Sequence, residues 1–193
     1  MKISTKTIVM VGMFTAVLSV LSILTIPMPT GVPVTLQTFA VALCGCVLGW
    51  KRGLCSTVIY LLLGTVGVPV FAGMTGGPSW LASYSGGFLW GFLFLSALCG
   101  VGMLCKNIAV RLLLGLSGLA ICHLLGVIQF SMVSSSSIPV SFVAVSVPYI
   151  LKDVLSVVGA FLVALPVRKA LSAARILTEE RTGSVRAGKM TER

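Results

Sequence analysis

Six apolar stretches, each near the length that crosses a bilayer, fill almost all of residues 7–166, and the positive charges between them fall on alternate connections. A bilayer core is about 30 Å thick and asks for roughly 20 mostly apolar residues per spanning helix. The stretches are 7–26, 35–50, 54–71, 86–105, 111–133 and 147–166. They are continuously apolar, whereas a barrel strand alternates over about 10 residues, so helices are expected. The second and third are the shortest, with Gly53 supplying a tight turn between them. Hydrophobic residues make up 57% of the chain and charged ones 9%, more apolar surface than a water-soluble domain of 193 residues can cover. The fold class expected is therefore all-α integral membrane, with six transmembrane helices in a single domain over residues 1–166. Residues 167–193 form a basic cytoplasmic tail, a fraying helix end followed by disorder. The first stretch follows lysines as a signal peptide would. It lacks a small-residue cleavage site, so it is expected to be retained.

The net charge is +10, yet its distribution argues against nucleic acid as a partner. Lys2 and Lys6 precede the first stretch, Lys51 and Arg52 lie between the second and third, Lys106 and Arg111 between the fourth and fifth, and a basic run follows the sixth. Connections 27–34, 72–85 and 134–146 carry no charge. Positive residues stay on the cytoplasmic side, so both termini are expected in the cytoplasm, with membrane lipid as a partner. The six cysteines fall inside the stretches or at their cytoplasmic ends and read as small packing residues. No metal or cofactor is expected, because Cys44 and Cys46 point in different directions on a helix and have no His or acid near them in sequence.

In so apolar a chain the polar residues that remain are the informative ones. Asp153 is the one acid outside the tail, and it follows Lys152 about one turn into the sixth stretch. The pair is either a snorkelling lysine beside an acid at a helix N-terminus, or a binding pair in an outward-facing cavity. Thr35 and Gln37 offer hydrogen bonds where the three-proline connection 27–34 meets the second stretch. Segment 67–87 interleaves Gly73, Gly76 and Gly77 with Phe71, Trp80, Tyr84 and Ser85. It reads either as the wall or lid of a cavity or as an ordinary loop with an interfacial aromatic belt. The single His123 suits a hydrogen bond between helices. Gln129 and Ser134–Ser137 stand toward the outer mouth. Gly12 and Ala16 form a small-x-x-x-small pair that serves packing within the chain or docking to a partner.

Pro33-Val-Thr-Leu-Gln-Thr38, Tyr60-Leu-Leu-Leu-Gly-Thr-Val-Gly-Val-Pro-Val-Phe-Ala-Gly73 with Gly76-Gly77, and Ser85-Gly-Gly-Phe88 with Gly91-Phe92 strongly resemble the BioY family, biotin-specific substrate-binding (S) components of energy-coupling factor (ECF) transporters. The resemblance runs in order from about residue 10 to residue 165. It implies the S-component fold, a biotin pocket capped by the outer connections, and residence in the cytoplasmic (inner) membrane. It also implies docking, through Gly12 and Ala16, onto a transmembrane coupling (T) protein that carries two ATPases. The absence of a phosphate-binding Gly-x-x-x-x-Gly-Lys loop in this chain agrees with ATP being used elsewhere. The family begins its last helix with an Asp followed three residues later by a Lys. Asp153 fits the first position, but Ser156 stands at the second, and Lys152 is one turn away on the same face. The expected function is biotin capture rather than catalysis. Asp153 and Gln37 bond the ureido group, the Phe71, Trp80 and Tyr84 region covers the apolar ring, and Lys152 with Ser85 or the glycine loop holds a polar end. The rivals are an S component for thiamin or riboflavin, a partner-independent biotin transporter, a membrane enzyme, and a pore-forming bundle.

Overall fold

The computed structural model describes residues 4–174 and 176. Each of the six apolar stretches contains one long helix: α1 (Thr5–Ile23), α2 (Gln37–Leu48), α3 (Trp50–Val66), α4 (Gly86–Gly102), α5 (Ile108–Ser134) and, after a short α6 (Ile138–Val145), α7 (Val147–Ala173). Three of them, α1, α5 and α7, are long and apolar enough to cross a membrane, while α2 and α4 are shorter apolar helices of 12 and 17 residues. A two-stranded antiparallel ribbon, β1 (Thr25–Ile26) with β2 (Val34–Thr35), brings the two ends of the three-proline connection together.

The shortest of the six main helices, α2, lies at the centre. Every residue of α2 except Phe39 is buried, as expected of a helix apolar all round. It is flanked by α1, α3, α4 and α7. Close approach needs small residues: a Cβ on Gly45 would stand 2.2 Å from the Ser96 carbonyl oxygen of α4. Arg168 of α7 donates to the Cys46 carbonyl at 3.0 Å, placing a cation at the C-terminal end of α2 where the helix dipole favours it.

Three boundaries differ from the sequence reading. The turn between the second and third helices is made at Gly49, which adopts φ +81°, and not at Gly53. Gly53 lies inside α3, where a Cβ would meet the Gly45 Cα at 2.7 Å, so it serves helix contact. Connection 134–146, expected as loop, contains α6, started by Pro139 at a position where a missing N–H costs nothing. Finally, α7 continues past Pro166 to Ala173. Most of the basic tail expected over 167–193 lies outside the described residues.

The outer surface is oily. Leu62 of α3, Leu113 and Met132 of α5, and Leu155 and Leu162 of α7 are all exposed. Among the described residues, every charge except those of Lys152 and Asp153 stands on the side where α1 and α5 begin and α7 ends.

Candidate functional site: a cavity beneath three connections

The uncharged connections converge at the opposite end of the bundle and are tied down there. The Tyr149 hydroxyl of α7 donates to the Val32 carbonyl and lies 3.1 Å from Thr30 Oγ1, holding the proline-rich turn against α7. Gly67 ends α3 in the left-handed region at φ +109°. The chain then folds back through a bridge in which the Phe71 N–H donates to the Thr75 carbonyl at 2.9 Å, and the Gly77 N–H returns to the Gly64 carbonyl at 2.7 Å. Gln129 of α5 donates to the carbonyls of Leu81 at 2.7 Å and Ser83 at 3.0 Å. These side chain–backbone bonds satisfy groups that a loop at this depth would otherwise bury unpaired.

Beneath the connections lies a cavity of about 600 Å³, counting the part open to solvent. Its apolar wall includes Phe71, Trp80, Phe88, Leu89, Phe92 and Leu119; its polar groups are Thr35, Gln37, Thr38, Ser85, Lys152 and Asp153. Tyr60, Phe71 and Trp80 form an aromatic chain, with ring centroids 5.5 Å and 6.3 Å apart. The Phe71 ring fits against Gly64, where a Cβ would come within 2.1 Å of it.

The Asp153 carboxylate is 5% exposed and held from two directions. Lys152 Nζ stands 2.5 Å from Oδ1 and also donates to the Thr35 carbonyl at 3.0 Å. His123 Nε2 of α5 stands 3.3 Å from Oδ2, and its Nδ1 is 3.0 Å from Ser146 Oγ. One buried oxygen on the cavity wall, Ser85 Oγ, makes no hydrogen bond within the protein, while Asp153 Oδ1 is partnered by the Lys152 ammonium. An unsatisfied buried polar group costs about 1–3 kcal/mol. The Ser85 hydroxyl is therefore suited to meet a polar group of a ligand. Gln37 is half committed, since its Nε2 donates to Tyr60 Oη at 2.5 Å and its carbonyl oxygen remains for an N–H donor. Ser146, His123 and Asp153 have the composition of a hydrolase triad, but Ser146 is fully buried and off the cavity wall, so its hydroxyl is out of reach of a substrate there.

Of the residues singled out in sequence, Thr35, Gln37, Phe71, Trp80, Ser85, Lys152 and Asp153 meet at this cavity. Gly73, Gly76, Gly77, Tyr84 and Ser156 are not on its wall. Gly73 and Gly77 take φ +70° and +113°, and a Cβ on Gly76 would sit 2.5 Å from the Val68 carbonyl oxygen, so the three shape the overlying loop. Tyr84 is 41% exposed and packs on Phe130 at 5.4 Å. Ser156 is half-buried one turn beyond the cavity. Gly12 and Ala16 are exposed on α1, with nothing within 4 Å of a Cβ on Gly12. Sequence reasoning missed Thr38, Phe88, Phe92, Cys122 and Tyr149 on the wall, while His123, read as a hydrogen-bonding residue between helices, stands behind it against Ser146 and Asp153. A signal existed for two of them: Phe88 and Phe92 continue the helical face begun by Ser85.

A family model described as "BioY family" matches residues 1–173. The biotin transporter BioY of Thermotoga maritima is 36% identical over 170 residues, covering 85% of this chain and 96% of that protein. The probable biotin transporter BioY of Pyrococcus horikoshii is 33% identical over 159 residues, covering 82% and 94%. A crystal structure of the S-component for biotin from an ECF-type ABC transporter superposes with a TM-score of 0.79 at 26% identity, covering 87% of this chain and 95% of the other. With the family model matched nearly end to end and two relatives above 30% identity along most of their length, this multi-pass membrane chain belongs to the BioY family.

Proposed function

We propose that this chain captures biotin in the cavity beneath its three uncharged connections and delivers it across the cytoplasmic (inner) membrane as the S component of an ECF transporter. The observation that carries the reading is a buried carboxylate, Asp153, beside a serine hydroxyl without a protein partner, Ser85, on the wall of an otherwise largely apolar and aromatic pocket. It joins the likeness to a solved S-component for biotin. Biotin supplies the complement: two ureido N–H donors, a carbonyl acceptor, an apolar ring and a carboxylate. Asp153 and the Gln37 carbonyl accept the N–H groups. Phe71 and Trp80 cover the apolar ring, and Ser85 and Lys152 serve a polar end. No cofactor takes part. Ser156 and Tyr84 lie beyond the cavity wall and contribute to the surroundings of the site and not to its contacts.

In this reading the six long helices each cross the membrane and both termini are cytoplasmic, which puts the cavity on the outer side and the basic ends inside. Energy comes from partners, a T protein with two ATPases that docks on α1. The direct test is biotin binding by the purified full-length chain in detergent, with thiamin and riboflavin as competitors. Asp153→Asn keeps the shape and removes the charge, and it should weaken biotin about tenfold to a hundredfold, the range for losing a hydrogen bond to a charged group. Undiminished affinity in that variant would remove Asp153 from the site. Binding of thiamin or riboflavin in preference to biotin would reassign the substrate.

A further inference from the structure

We propose that His123 is a positioning residue for the ligand-binding carboxylate, setting the Asp153 rotamer from a neighbouring helix without touching the ligand; this rests on the reading of the cavity as the biotin site. The imidazole is 6% exposed and absent from the cavity wall, so a direct contact is not open to it. Its Nε2 faces Asp153 Oδ2 at 3.3 Å. Its other nitrogen faces Ser146 Oγ at 3.0 Å, at the junction of α6 and α7. The ring is also clasped edge-on by Phe88, 5.7 Å away at 88°, and Phe88 lines the cavity and is seated over Gly126.

These contacts divide the work on the carboxylate. Oδ2 faces His123 Nε2 at 3.3 Å, and Oδ1 faces Lys152 Nζ at 2.5 Å. Nδ1 and the Ser146 hydroxyl share a hydrogen bond, and with the hydroxyl as its donor the ring proton stands on Nε2, the nitrogen 3.3 Å from Oδ2. A carboxylate restrained on both oxygens loses less rotational freedom when a ligand binds, and that preorganisation appears as affinity.

The test is biotin affinity of the full-length protein in detergent for four variants. His123→Gln sets an amide N–H near the place of Nε2, whereas His123→Asn sets it near Nδ1, and His123→Leu removes it. Leucine and asparagine should weaken biotin about tenfold to a hundredfold, and glutamine should restore affinity to within about threefold of the parent. In an Asp153→Asn background the leucine change should have little further effect, because interacting sites fail to add. Ser146→Ala, which leaves packing almost unchanged, should cost about threefold and serves if the leucine variant does not fold. The proposal is overturned if the parent binds biotin and glutamine is as harmful as leucine, if the losses from Asp153 and His123 simply add, or if Ser146→Ala binds as the parent does. Failure of the parent itself to bind biotin would instead overturn the assignment of the cavity.

Discussion

At the scale of single residues, the site depends on side chains admitted by glycines. Phe71 is 1% exposed, edge-on to Tyr60 and against Trp80, and its ring occupies the space a side chain at Gly64 would need. Gly64→Ala puts a carbon 2.1 Å from Phe71 Cζ, so a ring that lines the cavity must shift. The variant should lose about 1–3 kcal/mol of stability, as overpacked cores do, and should bind biotin more weakly. Gly159→Ala is the contrast. Its Cβ meets nothing closer than Phe39 at 3.7 Å, so the better helix propensity of alanine should leave stability equal or slightly raised. Thermal unfolding in detergent distinguishes the two, and equal melting temperatures would discount the Gly64–Phe71 contact. Asp153 was legible in sequence because the bilayer removes carboxylates that have no purpose. Thr38 and Tyr149 were not. A threonine or tyrosine hydroxyl is common in membrane helices, and nothing in its own sequence neighbourhood says which way it faces.

At the scale of elements, hydropathy located the helices and failed at their joints. It reads thickness and apolar length, so all six stretches emerged, but it is blind to the sign of φ. Gly49 and Gly53 look alike in sequence, yet one turns the chain and the other lets α3 approach α2. Hydropathy also passed over α6, whose eight residues are too few to register as a span. Connection 67–85 was legible as a wall from its glycines and aromatics, but its fastening was not. Gln129 is far away in sequence and contributes two hydrogen bonds to it. Gln129→Leu removes both donors and leaves the carbonyls of Leu81 and Ser83 without them. At about 0.5–1.5 kcal/mol each, the loss should speed biotin dissociation about tenfold and change the on-rate little. A stopped-flow or filter-binding measurement of release reads this directly. An unchanged off-rate would mean the segment is held by its own backbone bonds, such as Gly77 N–H to Gly64 carbonyl.

At the scale of the whole molecule, the proposed function assigns capture and delivery to different surfaces, and this separation is open to test. The cavity is built from α2, α4, α5, α7 and the connections, and α1 contributes no residue to its wall. What α1 does offer is an outward face with Ile8, Val9, Gly12, Met13, Ala16, Val17 and Val20 all exposed, while Met10, Val11, Phe14, Thr15, Leu18 and Ser22 face the bundle. Lipid alone would be content with bulky side chains along that outer face. Small residues at 12 and 16 instead create a shallow depression into which a partner helix can come close. Because nothing lies within 4 Å of a Cβ on Gly12, bulk added there disturbs no contact inside the chain. Gly12→Leu and Ala16→Leu should therefore leave biotin affinity and melting temperature at parental values while preventing copurification with the T protein and lowering uptake in cells. A variant that keeps full uptake would detach α1 from docking. One that loses binding in detergent would show that the outer face of α1 communicates with the cavity, and the two tasks would no longer be separable by surface.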